Sequence, residues 1–190
     1  MRKKIRRIFT ILGTTAMIFT ITACGNRMDA MQPDASYVAD FFDIPDTVTG
    51  IERLLLKDDM AYMCCLEEDG TSYLAAMDIG DGRFLRQNLN VDSFVSLLDF
   101  GFAPDNSIWT VCLEAADDYS LRKFDNSGTQ VQSVDLAGVM DTTVLSAAGR
   151  DLFLSIDGEG NICVAAKGGN TLVYLFDNNG RFLFSLDYEG

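Results

Sequence analysis

TLVYLFDNNGRFLFSLD, residues Thr171 to Asp187, reads as a complete β-hairpin with its turn chemistry in place. Leu172 to Phe176 is an aromatic and β-branched run that suits a strand. In Asp177-Asn178-Asn179-Gly180 the Asp can hold the turn through its side chain, and the Gly can take the positive φ that closes a short loop. The returning strand alternates: Phe182, Phe184 and Leu186 fall on one face at period two, Arg181, Ser185 and Asp187 on the other, with Leu183 the apolar exception. The pattern recurs in KFDNSGTQVQSV (Lys123 to Val134) and in MDIGDGRFL (Met77 to Leu85). The chain is a repeat protein, and the repeat speaks to architecture far more than to chemistry.

From Val48 the sequence divides into three units of about 46 to 52 residues, each with four short strands. The first holds Ile51 to Lys57, Ala61 to Leu66, Ser72 to Asp78 and Arg83 to Leu89. The second holds Phe94 to Phe102, Ser107 to Leu113, Tyr119 to Asp125 and Thr129 to Leu136. In the third, Asp151 to Ile156, Ile162 to Ala165, Leu172 to Asp177 and Arg181 to Asp187 are separated by Gly158-Glu159-Gly160, Lys167 to Asn170 and Asn178-Asn179-Gly180. Gly82, Gly128 and Gly180 mark the turn into each outer strand, and Leu85, Val131 and Leu183 follow three positions later. Cys65-Leu66-Glu67 coincides with Cys112-Leu113-Glu114. The first copy carries one extra residue between Asp78 and Gly82, so its turn is expected to be looser. Four-strand units at this period predict an all-β fold of about three β-propeller blades, near 47–91, 92–138 and 139–190; an all-β sandwich is the alternative. Helical periodicity is not sustained in these units.

Residues 1–23 read as a signal helix: Arg2, Lys3, Lys4, Arg6 and Arg7 precede an apolar core from Ile8 to Ile21. Ile21-Thr22-Ala23-Cys24 resembles the lipobox of bacterial lipoproteins, which implies lipidation of Cys24 and a cell-membrane protein facing the extracytoplasmic side. A plain membrane anchor or a signal cut elsewhere are the alternatives. Stable anchoring needs two or more acyl chains such as palmitate, because each buried CH₂ contributes only about 0.8 kcal/mol, and a diacylglyceryl thioether meets that need. Residues 24–36 suit a tether, and the propeller-like domain follows at 37–190. Tyr37 to Ile44 is read as an isolated strand ahead of the first repeat.

The chain has 15 Lys+Arg against 28 Asp+Glu; removing the five basic residues of the signal leaves 10 against 28, a net charge of −18. Such a surface repels nucleic acid and anionic lipid, so the membrane is reached through the anchor at Cys24. Glu67, Glu68, Asp69, Glu114, Asp117 and Asp118 cluster in turns that a propeller sets on one rim. They are the weak candidates for a cation site, beside the plainer reading of solvated loop acids. Cys64, Cys65, Cys112 and Cys163 sit on second strands and read as buried free thiols; Cys64 and Cys65, being adjacent, point to opposite faces. Trp109 reads as core. The sequence has no His, no CxxC and none of the common nucleophile, phosphate or zinc motifs. No catalytic residue or cofactor is therefore assigned.

LVYLFDNNGRFLFSL and LRKFDNSGTQVQSV resemble NHL-type and related six-bladed propeller repeats, over about residues 47 to 190. The resemblance implies a binding platform or scaffold. The lyases of that fold use a channel histidine, which this chain lacks, so their activity is not implied. About four to eight blades close a propeller, so three suggest a fragment of a longer lipoprotein or an arc that assembles with copies of itself. The expected function is a membrane-anchored binding or interaction module. The alternatives are part of a solute-binding lipoprotein of an uptake system, or a propeller enzyme with its catalytic residues in further blades. Phe182, Phe184 and Leu186 form an uncapped apolar row, which predicts self-association or ready unfolding.

Overall fold

The protein is described here from a computed structural model covering residues 44–87, 89, 96–114, 118–168 and 170–187. The expectations placed on the signal helix, Cys24, the tether, residues 37–43 and Asp117 lie outside the described residues. Among the described residues, twelve strands form three antiparallel meanders. The first blade is β1 (Val48–Lys57), β2 (Met60–Glu67), β3 (Ser72–Asp78) and β4 (Phe84–Arg86). The second is β5 (Ser96–Phe102), β6 (Ile108–Leu113), β7 (Tyr119–Phe124) and β8 (Gln130–Asp135). The third is β9 (Leu152–Ile156), β10 (Ile162–Gly168), β11 (Asn170–Phe176) and β12 (Phe182–Asp187). The fold is all-β, of propeller-blade type. One parallel pair, Ser72 with Ser96, joins the first two blades into a continuous sheet.

Aspartate side chains build the hairpin turns. Asp125 Oδ1 accepts from the N–H of Ser127 (2.9 Å) and of Thr129 (3.0 Å), and Asp177 Oδ1 accepts from those of Asn179 and Arg181 (both 2.9 Å). Gly128 and Gly180 close these turns at φ 80° and 68°. In the first blade the Gly82 N–H reaches back four residues to the Asp78 carbonyl, where Gly128 and Gly180 reach back three, so the extra residue does loosen the turn. Asp157 makes a further copy between β9 and β10, accepting from Asn161 N–H at 2.8 Å.

Alternation along the strands sends side chains to two faces, and successive blades bury them against each other. Cys64 and Leu74 of the first blade meet Leu97, Phe100, Cys112 and Phe124 of the second. The second blade turns Trp109, Val111 and Leu121 toward Leu152, Leu154, Ile162, Val164 and Phe176 of the third. Cys65 belongs to a separate cluster with Met63, Tyr73 and Ala75, so adjacent Cys64 and Cys65 do face opposite ways. Trp109 is fully buried, as expected.

Three expectations need correction. β4 stops at Arg86 rather than Leu89. β10 extends to Gly168 and β11 begins at Asn170, so both strands reach into the supposed loop at Lys167 to Asn170, with Gly168 paired to Asn170, because a hairpin can continue through small and polar residues when its flanking strands are in register. A helix, α1 (Thr142–Ala148), interrupts the all-β pattern between β8 and β9. Asp141 caps its start, accepting from Thr143 N–H at 2.7 Å; Gly149 at φ 56° ends it; and Leu145 and Ala148 join the core between the second and third blades.

Candidate functional site

The inner strands β1, β5 and β9 come together in a groove. Gly101 of β5 lies so close to β9 that a Cβ there would stand 2.8 Å from Leu154 Cδ2. Register makes three positions equivalent: Arg53 opposes Cys64 and then Leu74, Asp99 opposes Val111 and then Leu121, and Phe153 opposes Ala165 and then Val173. In β1 and β5 the residue just before, Glu52 or Leu98, sits at an irregularity in the pairing, the kind of bulge that re-aims a side chain.

Asp99 is the polar centre of the groove. Its side chain is almost fully buried, accepting from Leu154 N–H at 2.7 Å and Phe100 N–H at 2.8 Å, and Arg53 Nε stands 3.3 Å away as an ion pair. Burial pushes the Asp99 carboxyl up, against the lowering pull of the Leu154 N–H, Arg53 and the Phe100 N–H. Arg150 donates to Glu52 at 2.9 Å and to Ser96 Oγ at 3.2 Å, so one guanidinium touches the first two blades from the stem of the third. With both partners about a third exposed, that bridge contributes at most about 1 kcal/mol.

Two clefts lie along these strands. One, of about 370 Å³, is lined by Glu52, Arg53, Asp99, Arg150 and Phe153; the other, of about 390 Å³, is lined by Arg53, Leu55, Leu56, Phe102, Leu154 and Ile156. Arg53 borders both, and charged side chains line each: Glu52, Asp99 and Arg150 in the first, Lys57 in the second. Phe153 is half exposed there.

The described rim acids are not gathered into a cation site. Glu67 accepts from Thr71 Oγ1 and stands 3.6 Å from Arg86; Asp69 accepts from Thr71 N–H; Glu114 pairs with buried Arg122 at 2.5 Å; Glu68 and Asp118 are exposed. Burial works against the Glu114 charge, but Ser120 and Arg122 hold its carboxyl below the usual range. Among the described residues no group of three acidic or thiol side chains could hold a metal ion. Cys64, Cys65 and Cys112 are buried free thiols, and Cys163 is partly exposed. Burial pushes Cys65 and Cys112 up to about 11, and Cys64 higher still with help from Glu52, so these thiols are poor nucleophiles.

Sequence reasoning passed over the groove. The available signal was a charge inside an apolar strand, Asp99 in SLLDFGF and Arg53 in IERLLLK, a pattern that requires a buried partner.

No family model matches the sequence, and no curated protein matches it. Among solved structures the chain is similar to a eukaryotic initiation factor, with 12% identity and a TM-score of 0.46, over 77% of this chain and 35% of that one. It is similar to the Dos1 propeller, with 18% identity and a TM-score of 0.44, over 73% of this chain and 37% of that one. A DUF4784 family protein from Bacteroides caccae has 16% identity and a TM-score of 0.42, over 78% and 41% of the two chains. The chain thus spans less than half the length of each of these three structures.

Proposed function

We propose that the chain is a lipid-anchored extracytoplasmic binding module, held at the cell membrane through Cys24 and presenting its inner-strand groove to a ligand. The observation that carries the binding role is the convergence of Arg53, Asp99 and Phe153, one position repeated in three blades, on a cleft that Arg53 shares with a second one beside it. Arg53 Nε is ion-paired with Asp99 without a hydrogen bond, and the residue lines both clefts. Its planar fork suits a carboxylate or amide oxygen, while Leu56, Phe102 and Ile156 suit the apolar part of the same ligand. The anchoring role rests on the lipobox-like Ile21 to Cys24 behind a basic and apolar leader.

Both halves are tested in the full chain. Radiolabelled palmitate is expected to mark the wild type and not Cys24→Ala; label entering the variant overturns the anchor. A photoreactive residue in place of Phe153 is expected to trap a ligand or partner in cells, with the yield falling at least tenfold on Arg53→Ala. An adduct no stronger than that from the same residue at Leu85, exposed on β4, overturns the binding role.

A further inference from the structure

The two clefts along the inner strands differ in the sign of their charge. The first is lined by three carboxylates, Glu52, Asp99 and Asp151, against Arg53 and Arg150. The second has two cations, Arg53 and Lys57, and no carboxylate among its described lining residues, on a chain with 15 Lys+Arg against 28 Asp+Glu. From Arg53 onward β1 pairs with β2 without a bulge, so Arg53, Leu55 and Lys57 fall on one side of the strand. At a strand rise of about 3.3 Å per residue the two cationic positions stand about 13 Å apart, with Leu55 between them. Phe102 of β5 and Ile156 of β9 complete the apolar walls.

Lys57 is held in place: its Nζ lies 4.3 Å from the centre of the Phe102 ring and donates to Asn106 Oδ1, which leaves the ammonium donors to spare. Arg53 meets Asp99 through a buried Nε that makes no hydrogen bond, so the hydrogen-bonding capacity of the guanidinium is unspent on that contact. A cleft with one sign of charge and apolar walls concentrates its field on the opposite sign. At about 390 Å³ the cleft is at the small end of small-molecule sites, which run from roughly 300 to 1,000 Å³. We infer that the second cleft takes a small carboxylate on an apolar chain, and that Lys57 sets the preference for an anion. The carboxylate sits on the Arg53 fork and the chain lies along Leu55, Phe102 and Ile156 toward Lys57. The inference rests on the reading of the groove as a binding site and adds the class of its ligand.

Two photoreactive probes of equal chain length, a diazirine-bearing octanoate and the matching octylamine, are applied to the full-length chain in phosphatidylcholine nanodiscs, and adducts are located by mass spectrometry. The octanoate is expected to label β1, β5 or β9 at least tenfold more than the amine, although the acidic chain as a whole attracts the amine. Lys57→Glu is expected to lower the octanoate adduct at least fivefold and to raise that of the amine. Lys167→Glu, the same change of charge at an exposed position of β10, is expected to alter neither. Continued protection of the buried Cys64, Cys65 and Cys112 from a thiol reagent shows that each variant remains folded. Equal labelling by the two probes, a preference that survives Lys57→Glu, or adducts confined to other strands overturns the inference. Capture from the Phe153 position in cells is read independently of these probes, so the ligand class and the binding role of the groove fail separately.

Discussion

The second and third blades present equivalent faces that meet different fates. In the second blade the face carries Asp99, Gly101, Trp109, Lys123, Gln132 and Val134; in the third the same positions hold Phe153, Ser155, Cys163, Leu175, Phe184 and Leu186. The covered face is the more polar of the two. Its charged and amide groups have partners at hand: Leu154 N–H donates to Asp99, Gln132 donates to the Asn179 carbonyl, and Lys123 reaches Asp105 at 3.2 Å, whereas the buried Trp109 Nε1 makes no hydrogen bond. At the same positions the third blade carries no charge, only the hydroxyl of Ser155 and the thiol of Cys163. Within this fold a neighbouring blade is what permits charge inside a seam.

The comparison breaks most visibly at Trp109. Trp109→Ala is expected to cost about 3–5 kcal/mol through the cavity it leaves. Cys163→Ala, at the equivalent open position, is expected to cost under about 1 kcal/mol. Denaturant titration of both variants checks the pair, and equal losses would show that the two faces are covered alike. The turn that sits on Trp109 gives a smaller contrast. Gly180→Ala meets a left-handed backbone and a Cβ 2.8 Å from Trp109, with Gln132 at 2.9 Å, whereas Gly70→Ala meets only the backbone, at φ 83°, with open space around it. The second is expected to cost about 1–2 kcal/mol and the first roughly 1–3 kcal/mol more, read as shifts in the denaturation midpoint.

Acid titration gives the smallest effect and separates the seam from the turns. Ser107, through its hydroxyl and N–H, pulls Asp105 down from the ordinary 3.8 to about 2. A depressed folded value means that the contribution is complete above pH 3.8 and is lost as pH falls toward 2. Asp99 is shifted upward by burial, so its cost appears as pH rises from 3.8 through its folded value. Stability is therefore expected to rise slightly on mild acidification and then fall. Asp105→Asn is expected to remove part of the fall, and Asp99→Asn the rise. A wild-type profile that declines steadily from neutrality would refute the role given to Asp99.

Much of the fold was legible from the sequence because it is local. Asp-x-x-Gly turns and period-two strands are decided by neighbouring residues, and Asp177 to Gly180 was sufficient to define the third hairpin. α1 escaped because seven residues are too few to show a helical period, although Asp141 and Gly149 mark its ends. The groove escaped for a different reason. Arg53, Asp99 and Phe153 come from separate units, and only the pairing register reveals that they share one position. The rim acids drew attention by number, yet several of the chain's carboxylates are spent on turns: Asp69, Asp125 and Asp157 each hold a backbone N–H two residues on.

The Arg150 to Glu52 contact joins residues 98 positions apart, while the hairpins close over a few residues each. A contact of that span is expected to form after the blades it joins, since loop closure must precede it. Interactions that form late govern how fast a native state is lost more than how fast it is reached. The surface bridge across the inner strands, modest at equilibrium, is thus placed to act as a kinetic latch, lengthening the lifetime of the assembled blades without speeding their assembly.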